Sequence, residues 1–205
     1  MGAKIKRDTN KIPELIDKLN ELGKYQIHIG IFGKDDSFVL MKANVNEFGC
    51  TIESKNGKRL AIPLNKKARG KSPREFKDLF PLRTKEGKLY LVRNKGKTEI
   101  EFMYWLATKV VIPERSFIRG GFDANADKFS NKAVKDLKHV VNGDLSVKSY
   151  FDLVGEYMVG ELKKYLTNLK DPPNSFATSS AKGKSNPLVD TGQLRKHITF
   201  KVVKK

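Results

Sequence analysis

Ile112-Pro113-Glu114-Arg115-Ser116-Phe117-Ile118-Arg119 lies where a strand-rich, basic first half of the chain gives way to two long helices. Pro113 fixes its own φ and drives Ile112 towards an extended conformation, so a strand is expected to end there. Beyond it, Phe117 and Ile118 offer an aromatic and an aliphatic anchor, framed by Arg115 and Arg119. Gly120 and Gly121 relax the backbone before Asp123, the expected N-cap of the first helix. Alone, the segment specifies a corner between a sheet and a helical layer.

Downstream, Ala126, Phe129, Ala133, Leu137, Val140 and Val141 form one apolar stripe, which predicts a helix from Asp123 to about Asn142, ended by Gly143. Ser146 is placed to cap a second helix with a wide apolar face running from Tyr150 and Phe151 to Leu169. Asp171-Pro172-Pro173 terminates it, and the Pro, Asn, Ser and Gly of residues 171–187 predict an exposed loop. Ile198, Phe200 and Val202 then alternate, so a last strand is expected to return to the sheet.

Upstream, Asn10 is placed to cap a helix with a buried stripe of Ile12, Leu15, Ile16, Leu19 and Leu22, and Gly23 stops it. Tyr25, Ile27, Ile29 and Ile31 alternate as a half-buried strand, with His28 on its polar side. Residues 37–48 suit a short helix ended by Gly49. Strands are expected at Leu60–Leu64, Lys88–Arg93 and Ile100–Leu106, with turns at Asn56-Gly57, Glu86-Gly87 and Lys95-Gly96. Pro63 puts its strand at a sheet edge. Residues 65–87 carry many charges and few anchors, which predicts an exposed excursion. The pattern is an α+β fold: a mostly antiparallel sheet with helices on one face, one domain over residues 1–205, with 51–106 a basic strand-rich insertion.

The charge is +18, and residues 51–101 hold 15 Lys and Arg against 6 Asp and Glu, half of that charge in a quarter of the chain. Such an excess favours an acidic partner: nucleic acid, an anionic surface or an acidic protein. The content of apolar residues, 39%, is that of a globular chain, and no run of about 18 apolar residues suggests a membrane span. The charged N-terminus lacks the apolar stretch of a signal peptide, and Lys6 stands where a myristoylation signal needs Ser or Thr. A single cysteine, Cys50, excludes an internal disulfide and a thiolate metal cluster.

Gly70-Lys71-Ser72 and Gly183-Lys184-Ser185 imitate phosphate loops, but the glycine needed five residues earlier is replaced by Asn65 and Thr178. Leu188-Val189-Asp190-Thr191-Gly192 resembles the active-site loop of aspartic proteases, whose paired carboxylates activate water. Only 13 residues follow Gly192, too few for the flap and strands of that fold, so an Asx-type turn capped by Asp190 is the better expectation. Three scattered histidines and one cysteine supply no nucleophile or metal constellation. An enzyme, a cofactor and a metal are not expected.

The order of the motifs carries more than any one of them. Asn46-Glu47-Phe48-Gly49 precedes the insertion with Leu60-Ala61-Ile62-Pro63-Leu64 and Ala68–Phe76; then come Ile112–Ile118, the two helices, and Pro187–Leu194. From Ile12 to Val203 this series resembles the tail-completion and neck proteins of long-tailed bacteriophages, the virion-morphogenesis family that joins heads to tails. Ser116 stands where that family often has a second proline or another small residue.

The resemblance implies a structural virion protein, made in the bacterial host cytoplasm, that forms a ring of about six copies at the head-proximal end of the tail. Its partners would be further copies, tail-terminator or tail-tube proteins and head-connector proteins, with sequence-independent DNA contact in the lumen. It points to Arg115, Phe117, Arg119, Asp190 and Gly192 as the assembly contact, since aromatic and arginine anchors concentrate binding energy. Lys66, Lys67, Arg69, Lys71 and Arg74 on the excursion would face an adjacent ring or DNA. Two other classes compete: a tail or baseplate component of such a particle, and a stand-alone nucleic-acid-binding module. The second lacks interleaved stacking aromatics, since residues 65–85 hold only Phe76 and Phe80.

Overall fold

The computed structural model describes residues 11–33 and 37–205, so the expected Asn10 cap and the charged N-terminus lie outside the described residues. The chain runs α1 (Ile12–Leu22), β1 (Tyr25–Gly30), α2 (Ser37–Phe48), β2 (Cys50–Glu53), β3 (Leu60–Pro63), β4 (Phe80–Arg83), β5 (Leu89–Lys95), β6 (Glu99–Ala107) and β7 (Lys109–Ile112). Then follow α3 (Arg119–Ala124), α4 (Ala126–Asn142), α5 (Val147–Asn168), α6 (Phe176–Lys182), α7 (Gln193–His197) and β8 (Thr199–Lys204). This is an α+β fold in which every strand pairing is antiparallel.

The strands divide among three sheets rather than one. β1 pairs with β8, Tyr25 opposite Lys204 and Gly30 opposite Thr199. β2 pairs with β7, Cys50 opposite Ile112, and makes a two-stranded stem. The same two arms of the chain continue into β3 and β6, and a four-stranded sheet of order β3-β6-β5-β4 completes the insertion. Between stem and sheet, residues 54–59 loop out opposite Thr108, whose carbonyl accepts from Ser54 N at 2.8 Å. The Asn56-Gly57 turn belongs to this loop, both residues at positive φ, whereas Gly87 and Gly96 close true hairpins. Pro63 lies on the edge strand β3, where its missing N–H costs no ladder bond.

The main core joins the helices to the β1–β8 pair: Ala43, Phe117, Phe129, Val159, Leu162, Leu166, Leu188 and Ile198 are buried together. Ser146 caps α5 by accepting from Ser149 N at 3.1 Å. Gly155 lets α5 settle on β8, since a Cβ there would come 2.4 Å from the Phe200 ring. α4 lies along α5 through an edge-on contact of Phe129 with Tyr157, ring centroids 6.4 Å apart. The first helix begins at Arg119, not Asp123, because Gly121 is buried against Leu162 and Tyr165 and can be helical without clash. Asn125 then breaks the helix, its side chain donating to Gly121 O at 2.8 Å.

Two further expectations are corrected. The α1 stripe is not buried as a whole: Ile16 and Leu19 are exposed, and only Leu15 and Leu22 turn partly inward. The loop expected over 171–187 contains α6, capped by Ser175 and anchored by buried Ala177 and Ala181. Two alanines four residues apart give too weak an apolar signal among polar neighbours to mark it in sequence.

The excursion expected over 65–87 is exposed along most of its length, and it is tied down at a few points. Ala68 is fully buried, in a second core with Met103 and Tyr104. Asn65 Oδ1 accepts from Ala68 N, and the Tyr104 hydroxyl donates towards Ala68 O and Lys71 O at 3.1 and 3.0 Å. Tyr104→Phe is expected to cost about 1 kcal/mol, the net worth of such a bond. A urea titration of the variant against the wild type checks it.

Candidate functional site

Val39, Ala43 and Glu47 occupy the buried side of α2 at successive four-residue steps. A carboxylate at core spacing needs donors, and the corner after Pro113 supplies them. Glu47 Oε2 accepts from Phe117 N at 2.8 Å and Ile118 N at 2.9 Å, and Oε1 accepts from Ser116 Oγ at 2.8 Å and Arg119 N at 2.9 Å. It thereby takes the Ile118 and Arg119 donors at the start of α3, while Gly120 N donates to Ser116 Oγ at 3.0 Å. The Arg119 guanidinium donates to the same Oε1 at 3.2 Å, to the Glu47 carbonyl and to Glu114, and lies 4.5 Å from the Phe48 ring centre.

The backbone closes the joint. Arg115 N donates to Asn46 O at 2.6 Å. Gly49 has φ +70, and a Cβ there would approach Glu114 N to 3.0 Å. The Asn46–Gly49 and Glu114–Arg119 motifs are thus one unit, joined across the stem.

Beside this joint opens a cleft of about 550 Å³ between α2, the stem, β3 and the segment from Asn174 to Leu194. Met41, Val45, Ile52, Ile62, Val110 and Leu188 are among its apolar walls. Its charged lining is Lys42, Arg69, Arg115 and Lys182 against Asp190. Arg69 clasps the Asp190 carboxylate, Nη1 to Oδ1 at 3.2 Å and Nη2 against Oδ2. That bond holds the Asp190 carboxyl below the ordinary aspartate range and pushes Arg69 up.

Burial lowers Lys182, and nearby Arg69, Arg115 and Lys184 act in the same sense while Asp190 opposes them. Its ammonium is held by the Asn186 and Pro187 carbonyls at 2.7 and 3.2 Å. Burial likewise lowers Arg115, which donates to the Pro172 and Pro173 carbonyls at 2.6 and 2.8 Å. The cleft thus combines apolar walls with an excess of cationic groups. Among the described residues no group of His, Cys, Asp and Glu is arranged to hold a metal ion.

The two sets of residues expected to act separately meet here. Arg69, Asp190, Gly192 and Arg115 line one cleft. Arg115 and Phe117 are buried rather than presented: Arg115 fastens the 172–173 loop, and Phe117 is core. Arg119 remains half-exposed.

Lys66, Lys67, Lys71 and Arg74 are exposed; Lys67 pairs with Glu101 at 3.0 Å, and Lys71 lies 5.7 Å from the Phe76 ring centre. Asp190 does not cap its own turn, as expected of an Asx motif; Asn186 does, accepting from Leu188 N and Val189 N at 3.1 and 2.9 Å. Glu47 is the residue that sequence reading passed over. Its signal was an acid at the four-residue spacing of Val39 and Ala43.

Because the Asp190 carboxyl is depressed in the folded protein, its pairing stabilises above the unfolded value and is lost as pH falls through the folded one. Stability is therefore expected to decline below about pH 4, near the unperturbed aspartate value, and Asp190→Asn to flatten part of that decline. Thermal melts between neutral and acid pH check both.

Comparison with protein-family models, with characterised proteins and with solved structures finds no match to this chain. No described helix is long and apolar enough to cross a membrane.

Proposed function

We infer that this chain is a structural subunit of a long-tailed bacteriophage, forming a ring at the neck or head-proximal tail end that completes the tail and joins it to the head. The observation that carries the reading is the apolar surface left open on so cationic a chain. Along α2, Phe38, Met41 and Phe48 are all more than half exposed on one helical side, and exposed Ile52 lies at the mouth of the cleft that Met41 also lines. Contiguous apolar surface of this kind marks a contact with another protein.

The apolar cleft and the separate exposed flank of α1 are different surfaces, as a head-to-tail contact that closes into a ring requires. The ordered motif series supports the placement in the neck, and the cationic insertion suits neighbours or DNA that are acidic. The purified protein is expected to sediment as a closed oligomer, visible as rings of about six copies in negative stain. Met41→Asp with Phe48→Asp, both at exposed positions, is expected to yield folded monomers. A wild type that stays monomeric at every concentration, alone and with its tail and connector proteins, contradicts the reading.

A further inference from the structure

The four-stranded sheet has two apolar faces, and residues 65–79 cover one of them. Tyr104 and Leu91, directly opposite each other, point into the second core with Ala68 and Phe76. The next row, Ile62, Trp105, Tyr90 and Leu82, is paired across all four strands and therefore lies on the other face. A register shift between Leu91 and Val92 lets a third row, Phe80, Val92 and Phe102, fall on that same face. The Tyr90 and Phe102 rings meet edge to face with centroids 5.2 Å apart, as two side chains on one face must.

Four aromatic residues from three strands therefore share one surface. Phe80 is 36% exposed, Phe102 41% and neighbouring Ile100 46%, while Val92 beneath them is fully buried. By the same alternation Lys88 and Asn94 belong to this face, and the rows contain no carboxylate. Glu101 points the other way with Arg93, to which it is bound at 2.7 Å. The hairpin ends carry Lys85 and Lys88 on one side and Lys95 and Lys97 on the other. Glu86 and Glu99 pair with Lys88 and Lys95, and the surrounding stretch still holds 15 basic against 6 acidic residues.

We propose that this aromatic face of the β3-β6-β5-β4 sheet binds single-stranded nucleic acid, with bases stacked on Phe80, Phe102, Tyr90 and Trp105 and the phosphates in the field of the basic hairpin ends. Aromatic rings stack on any base, so such a surface binds without reading sequence. Charge decides the occupant. A protein partner on this face would need an acidic border, whereas phosphates supply one at every nucleotide. β5 at about 3.3 Å per residue spans about 23 Å, enough for the shortest single-strand sites, about four nucleotides. The sheet is separate from the cleft walls apart from β3, so the inference stands whether or not the neck reading does.

Trp105 is the single tryptophan of the chain and lies on the proposed platform, so its fluorescence reports occupancy directly. Oligothymidylate added to the full-length protein at low salt is expected to quench it, and a duplex of the same length to quench it less. Phe102→Ala is expected to weaken the oligothymidylate about 5- to 100-fold, the loss of one base–aromatic stack. Phe102→Tyr, which keeps the ring, is expected to bind as the wild type does and guards against a folding artefact.

Several results would overturn the proposal. One is no quenching. Another is quenching that Phe80→Ala and Phe102→Ala leave unchanged while Lys85→Ala with Lys88→Ala abolishes it, which would mean bare charge attraction. A third is a Phe102→Ala variant whose oligomeric mass changes while its affinity does not, which would make the face a contact between protein copies.

Discussion

Glu47→Ala is expected to destabilise the protein by about 3–5 kcal/mol, the cost of removing one partner from a buried, charge-assisted network. The carboxylate holds three backbone N–H groups, the Ser116 hydroxyl and the Arg119 side chain. Alanine would leave the buried Phe117 N–H and its neighbours without acceptors, at about 1–3 kcal/mol for each group that water cannot reach. Folded domains rest on about 5–15 kcal/mol in total, so the variant stands near the limit of folding. Calorimetry is expected to show a fall of the order of 10 °C in Tm, at about 2–4 °C per kcal/mol for a chain of this size.

Glu47→Gln is expected to recover part of the loss, because its carbonyl accepts while its amide confronts N–H groups. Arg119→Ala should cost far less, since Arg119 is half in solvent and surface ion pairs contribute little. A Glu47→Ala variant within about 0.5 kcal/mol of wild type would show that the joint does not hold the fold.

Phe117→Ala is expected to cost about 3–5 kcal/mol through the cavity it opens. Phe117 is fully buried in the core that includes Phe129, Leu162 and Leu166. The outcome separates two roles for one residue. A core role predicts lost stability in the isolated subunit at every concentration, measured by chemical denaturation. An interface role predicts unchanged subunit stability with failed assembly, and that result would return Phe117 to the contact surface.

Local patterns were legible where they were strong. The alternation of Tyr25 to Ile31 and of Ile198 to Val202 marked β1 and β8, and the stop signals of Gly49 and Gly143 and the start signal of Ser146 fixed helix ends within a few residues. What stayed hidden was non-local. Nothing in the linear order says that Glu47 must find the N–H groups of residues 117–119, 70 positions away. Phe80, Tyr90, Phe102 and Trp105 look scattered in sequence, and only strand register, with its one-residue shift, gathers them on a face. The 65–87 stretch is mostly exposed, as its charges predict, but its anchors were hidden: the Tyr104 hydroxyl and the burial of Ala68 tie it to the sheet.

The candidate site was half legible. Asp190 and Arg69 were both singled out, but as members of different surfaces, whereas their side chains bind each other. Arg115 looked like a surface anchor because arginine usually is one. Three carbonyl contacts explain its burial: it donates from its side chain to Pro172 and Pro173 and from its backbone to Asn46.

Immunogold electron microscopy of intact particles, with an antibody against this chain, tests the proposed role most directly. Gold at the head–tail junction, or at the head-proximal end of free tails, is the predicted result. Gold at the distal tip would make the protein a baseplate component. Particles without label, when their other proteins label well, would contradict a virion role altogether.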